Sequence, residues 1–228
     1  VSNSNPAPAP LDLLAPAAVP DLVMAWGRGR AVSRLTPPPV PVPGGYSCYV
    51  NGPGDRIRHV LHDYTPDSLA ALGKTLTGYR EEIKIAGPVP LLREALSPDW
   101  SLDDNGHLMA VAFARQPIEA PAGYRVQVAV IGELLVAAAY DADGNQAASA
   151  RLGQTGEFGV FDKVITEPEH RRRGLGTAIM RALTDRALDL GMTHGILVGS
   201  DEGRGLYESI GWSYVSDFPG ARRTTAVA

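Results

Sequence analysis

The residues with most chemical content lie in one stretch, Val164-Ile165-Thr166-Glu167-Pro168-Glu169-His170-Arg171-Arg172-Arg173-Gly174-Leu175-Gly176-Thr177. Apolar and β-branched residues lead into a proline, three arginines and two glycines. An apolar spacing of three and four follows at Ile179, Met180, Leu183, Ala187 and Leu190. That pattern predicts strand, loop and helix, with Gly174 and Gly176 at the helix start and Gly191 just past its end. The first N–H groups of a helix lack intrahelical partners. Without a Cβ beside them a phosphate can come close, and the helix dipole adds ~0.3–1 kcal/mol per exposed charge. Arg171, Arg172 and Arg173 place positive charge at the same point. The stretch is therefore read as an anion site rather than a solvated basic run with a cap. It is not a nucleoside-triphosphate loop, since no Gly-Lys-Ser/Thr follows, and Ile179 stands where a dinucleotide fingerprint needs its third glycine.

The rest of the chain must position this loop. At 228 residues there is room for one large or two small domains. The formal charge of −4 carries no basic footprint for nucleic acid. The one cysteine, Cys48, allows no internal disulfide or thiolate cluster and fits a reducing compartment. No apolar run is long enough to span a membrane and no basic-flanked leader opens the chain, so the expectation is a cytoplasmic protein. His59 and His62-Asp63 lack the further Cys or His that a metal site needs, so no metal is expected.

Ten of the 19 prolines fall in the first 43 residues. Residues 1–20 read as a disordered tail, and 21–43 as a helix with Asp21 as its N-cap followed by a stiff proline-rich connector. Residues 44–115 alternate short strands and helices as an α/β lobe, with an interruption around Gln116 to Gly123. From Tyr124 three strands lead to Phe158–Thr166. The helix Gly174–Leu190, the strand Gly195–Val198, a helix from Gly203 to Ile210 and a last strand at Trp212 complete an α/β pattern.

On these residues the chain resembles the GNAT superfamily of acyl-CoA-dependent N-acetyltransferases. Arg171-Arg172-Arg173-Gly174-Leu175-Gly176 matches the family's Gln/Arg-x-x-Gly-x-Gly/Ala. Ser200-Asp201-Glu202-Gly203-Arg204-Gly205-Leu206-Tyr207-Glu208-Ser209-Ile210-Gly211-Trp212 looks like its Leu-Tyr-x-x-x-Gly-Phe segment, with Trp212 for Phe and Ser200 where Asn is common. The resemblance implies a mixed, mostly antiparallel twisted sheet flanked by helices, of α+β type, with the catalytic domain over 120–220. It implies acetyl-CoA as cosubstrate, held by Val164, Ile165 and Thr166 along the pantetheine arm, by Arg171, Arg172, Arg173, Gly174, Leu175, Gly176 and Thr177 at the pyrophosphate, and by Ser200. It implies Tyr207 as the acid that protonates the departing thiolate, and a primary amine of a small molecule or peptide as acceptor, with neither nucleic acid nor membrane as partner. A base is expected to neutralise the amine, and Asp162, at a position often acidic in the family, is its candidate beside Glu157. The alternative function is a non-catalytic acyl-CoA-binding module.

One departure stands out. The family places two helices between its first two strands, and Ile131-Gly132-Glu133-Leu134 leaves no space for them, so the acceptor side must come from residues 20–115. That region itself echoes the later one: Gly87 to Trp100 spans the same 13 positions as Gly199 to Trp212, with Arg93 where Tyr207 stands. It is read as a degenerate GNAT-like lobe that cannot repeat the chemistry.

Overall fold

The computed structural model describes residues 12–224 except 53, 54, 79, 80 and 104, and the backbone alone at 51, 52, 55 and 56. Residues 1–11 of the expected tail lie outside the described residues. Its remainder is ordered: Pro16–Ala18 form a 3₁₀ turn, and helix α1 begins at Val19 and runs to Arg34. The N-cap is Ala18, not Asp21, which sits in the first turn where its charge complements the dipole. Leu35 closes the helix in the left-handed region at φ 55°.

The elements after α1 are β1 (Val40–Val42), β2 (Gly45–Gly52), β3 (Asp55–Leu61), α2 (Pro66–Thr75), β4 (Glu82–Ile85), α3 (Val89–Ala95), β5 (Trp100–Leu102) and β6 (His107–Ala112). Next are β7 (Arg125–Ile131), β8 (Leu134–Tyr140), β9 (Gln146–Thr155), β10 (Phe158–Thr166), α4 (Leu175–Asp189), β11 (His194–Gly199), α5 (Asp201–Ser209), β12 (Ser213–Asp217) and β13 (Gly220–Arg223). They make two sheets, one ordered β1-β2-β3-β4-β13-β5, the other β12-β6-β11-β10-β9-β8-β7.

The two sheets share a plan. In each, an antiparallel meander ends in a strand (β3, β10) followed by a helix (α2, α4) and a strand parallel to the first (β4, β11). A short helix and an edge strand follow (α3 and β5, α5 and β12). In each, the strand between the last two is antiparallel to both and comes from the other half of the chain: β13 completes the first sheet and β6 the second. The lobes therefore exchange their final strands. The interruption at 116–123 does not divide the sheets, because Leu108–Ala112, placed in the first lobe by position, lie inside the second. The reason is burial on both faces. Leu108 and Ala110 enter the core beneath α1, and Met109 enters the core beneath α4, so β6 fits only as an internal strand.

The first lobe is closed where the second is open. Strands β3 and β4 stay paired from Arg58↔Glu82 to Leu61↔Ile85, and the Tyr64 hydroxyl donates to the Ala86 carbonyl at 3.0 Å just beyond. The β10–β11 pairing stops after Val160↔Ile196 although both strands run on.

Helix α1 lies on β9 and β10, on the face opposite the core under α4, and its other side meets the first sheet. The missing helices are thus replaced on this lobe by an upstream one. Docking is close: a Cβ at Gly153 would fall on the Gly29 carbonyl oxygen. Gly153→Ala is expected to push α1 off β9 at a cost of about 1–3 kcal/mol, read as a lower urea midpoint; an unchanged midpoint would show that α1 docks elsewhere.

Candidate functional site

The opening between β10 and β11 is built by backbone. From Phe161 and Leu197 onward each strand keeps its outer partner, β9 for one and β6 for the other, so the two halves of the sheet separate. A register shift between Asp162 and Ile165, with Lys163 at φ 51°, kinks β10 at this point. Val164, Ile165 and Thr166 thus lie on the strand edge that faces the opening.

The arginine–glycine loop lies at the mouth. Gly174, at φ 81°, is the N-cap of α4 and supplies no side chain to it, so the amides of Leu175, Gly176 and Thr177 have no capping acceptor. Arg172 also sits at positive φ, 59°, a conformation that costs about 1 kcal/mol or more away from glycine and concentrates at ligand-holding turns. Arg171 donates to the Thr166 carbonyl, and Arg173 donates to the Glu169 carbonyl and to the Tyr124 hydroxyl. Tyr124 in turn meets His170 Nδ1 at 2.9 Å. The loop is held by its own arginines and by Tyr124, which sequence reasoning did not single out.

Tyr207 projects from α5 into the core beside Trp212, and a Cβ at Gly199 would collide with its ring. It is 8% exposed, and burial, with a smaller contribution from the Asp162 charge, raises its hydroxyl to about 12. The phenol is therefore protonated throughout the neutral range. Ser200 is the N-cap of α5, its hydroxyl accepting from the Gly203 N–H at 3.2 Å. That hydroxyl lone pair serves the helix.

Asp162 is not free to act as a base. Arg34 grips it with two hydrogen bonds, Nε to Oδ2 at 2.5 Å and Nη2 to Oδ1 at 2.8 Å, and the Ser33 hydroxyl donates at 2.7 Å. Burial alone would raise this carboxyl, but the hydrogen bonds and charge of Arg34, with Ser33, outweigh it and hold the group below its ordinary value. A base candidate that is ion-paired and depressed has little pull on a proton. Glu157, at the far end of β10, accepts from Thr193. Arg34 precedes Asp162 by 128 positions, and no local pattern announced the pair.

The sequence over residues 126–214 matches the acetyltransferase (GNAT) domain. This chain carries a GNAT domain. The match covers the opened strands, the loop, α4, α5 and Tyr207. No curated protein matches the chain. Among solved structures it is similar to a GCN5-related N-acetyltransferase from Kribbella flavida, at 16% identity and TM-score 0.68 over 90% of this chain and 95% of that one. A second, from Sphaerobacter thermophilus, is 13% identical with TM-score 0.57 over 91% and 93% of the two chains. A tandem GNAT protein from the clavulanic acid biosynthesis pathway is 11% identical, with TM-score 0.51 over 67% and 66%. These likenesses carry the fold: a mixed, largely antiparallel GNAT architecture to which both lobes contribute. The GNAT-domain match over residues 126–214 supports acyl transfer.

Proposed function

We propose that the GNAT domain transfers the acetyl group of acetyl-CoA to a primary amine of a small molecule or peptide by direct attack. The observation that carries this is the parting of β10 and β11 after Val160 and Ile196 beside an uncapped helix N-terminus with three arginines. Acetyl-CoA fits these residues: the free edge of Val164 to Thr166 can pair with the amide-bearing pantetheine arm, and the amides of Leu175 to Thr177 with Arg171 to Arg173 suit the pyrophosphate. Bound there, it supplies an activated thioester carbonyl.

Tyr207 is the acid in this reading. The amine nitrogen bonds to the acetyl carbon, the carbon–sulfur bond breaks, the tyrosine hydroxyl gives its proton to the departing sulfur, and the nitrogen releases its extra proton to water, from which Tyr207 is reprotonated. Asp162, locked by Arg34, orients β10 at its kink and takes no proton, so the amine must arrive neutral. The closed first lobe walls the acceptor side through α1. No described helix is long and apolar enough to cross a membrane, and we read the chain as cytoplasmic on its single cysteine.

Incubation with acetyl-CoA and a panel of amines, following free thiol, tests this. Amine-dependent thiol release is expected. Acetyl-CoA binding without turnover across a broad panel would instead leave a binding module.

A further inference from the structure

Between α1 and the first sheet, among the described residues, lie one arginine outside any ion pair and one buried hydroxyl without a partner. Residues paired directly across strands share a face, so Cys48, Arg58, Glu82 and Arg222 form one row across the sheet, and Tyr46, Val60, Lys84 and Gly220 the next row on the same face. Helix α1 covers this face so closely that a Cβ at Gly27 would overlap the Tyr46 ring. One turn on, Arg30 is 7% exposed, and its guanidinium carbon lies 5.6 Å from the Trp26 ring centroid.

The neighbouring carboxylates are already engaged. Asp162 is held by Arg34; Glu82 lies 2.7 Å from Arg58 and 3.8 Å from Lys84. Among the described residues Arg30 forms no ion pair and its guanidinium donates no hydrogen bond. The hydroxyl of Tyr46, a residue with no exposure, also lacks a partner. Burying a hydroxyl without an acceptor is costly, and burial together with Arg58 and Arg34 lowers Arg30 to about 10. An anion answers both donors at once.

We propose that Arg30 and Tyr46 bind the carboxylate or phosphate of the acceptor, making the substrate class an amine that also carries an acidic group. The acceptor part of this rests on the acyl-transfer reading. Arg30 lies one turn before Arg34 on the same face of α1, and Arg34 grips Asp162 just past Val160, where β10 parts from β11, so the anion site lies about one helical turn from the start of the opening.

Two measurements test it. The first needs no acetyl-CoA: glutarate and inorganic phosphate are titrated calorimetrically into the wild type, Arg30→Met, Arg30→Lys and Tyr46→Phe, and melting is followed with and without each anion. At least one anion should bind the wild type, at least tenfold more weakly to Arg30→Met, with Arg30→Lys between, and the tighter of the two names the source. Arg30→Met should lose the anion-induced rise in melting. An unchanged anion response in Arg30→Met, or no binding of either anion to the wild type, overturns the site.

The second measurement compares amines in pairs, an amino acid against its decarboxylated amine and aminoethyl phosphate against ethanolamine. The acidic member should have at least a tenfold lower KM, and Arg30→Met should erase that difference while leaving KM for acetyl-CoA unchanged. Equal turnover within each pair overturns the acceptor assignment. Failure of every amine overturns acyl transfer and the acceptor role with it, while the anion titration still decides the site.

Discussion

Tyr207→Phe lowers amine-dependent thiol release by a factor of about 10²–10⁴, the usual contribution of a positioned general acid. The substitution removes one buried hydroxyl and keeps the ring that packs on Trp212 and against Gly199, so the fold and acetyl-CoA binding should be retained. The loss should therefore appear in kcat rather than in KM for acetyl-CoA. The pH profile supplies a second check. With the Tyr207 hydroxyl raised to about 12, the acid stays protonated well beyond the neutral range. The rate should rise with pH as the amine loses its proton, with no alkaline decline attributable to Tyr207 below about pH 11. Turnover unaffected by Tyr207→Phe would remove this residue as the acid.

Arg34→Ala should cost about 2–3 kcal/mol of stability, measured by urea unfolding. The Arg34 and Asp162 side chains are 23% and 13% exposed. Removing the arginine strands a largely buried carboxylate, and partial exposure places the cost below the ~3–5 kcal/mol of a fully buried pair. The effect depends on pH in a defined direction. The folded Asp162 carboxyl lies below its ordinary 3.8. Its stabilisation is therefore complete above that value and is lost as pH falls through the lower folded value. The gap between wild type and variant should thus be widest near neutrality and narrow below pH 4. A double-mutant cycle with Asp162→Asn should show strong coupling. Arg34→Lys, which keeps the charge but not the fork, should recover only part of the loss. A gap that stays constant down to pH 2 would mean that Arg34 acts through packing alone.

Much of the GNAT domain was legible from local pattern. Gly174, Gly176 and the apolar period from Ile179 to Leu190 specify a helix and its open N-terminus, because capping and amphipathicity act over a few residues. The pattern gives the strand Phe158–Thr166 its observed bounds, and Gly87–Trp100 and Gly199–Trp212 share a 13-residue spacing in the two halves whose sheets follow one plan. Helix starts were less accurate: α5 begins at Asp201 because Ser200 caps it, two residues ahead of the expected Gly203.

The remaining features depend on partners far apart in the chain. The sequence pattern places a strand at Leu108–Ala114 in the first lobe, but pattern does not report which sheet a strand joins; only tertiary pairing put β6 beside β11 and sent β13 back to β4. The parting of β10 from β11 depends on a register that ends after Val160↔Ile196, and no residue type in Phe161–Thr166 encodes it. Asp162 looked like a base because its type and position allowed it, until Arg34, 128 residues earlier, arrived on α1 to hold its proton off. The arginine–glycine motif in the sequence thus sufficed to place an open helix end beside three arginines, since helix ends and their charges are local. Which helix covers β9 and β10, and which arginine is left outside any ion pair among the described residues, emerged only when α1 packed between the two sheets, because burial and ion pairing are properties of the packed chain.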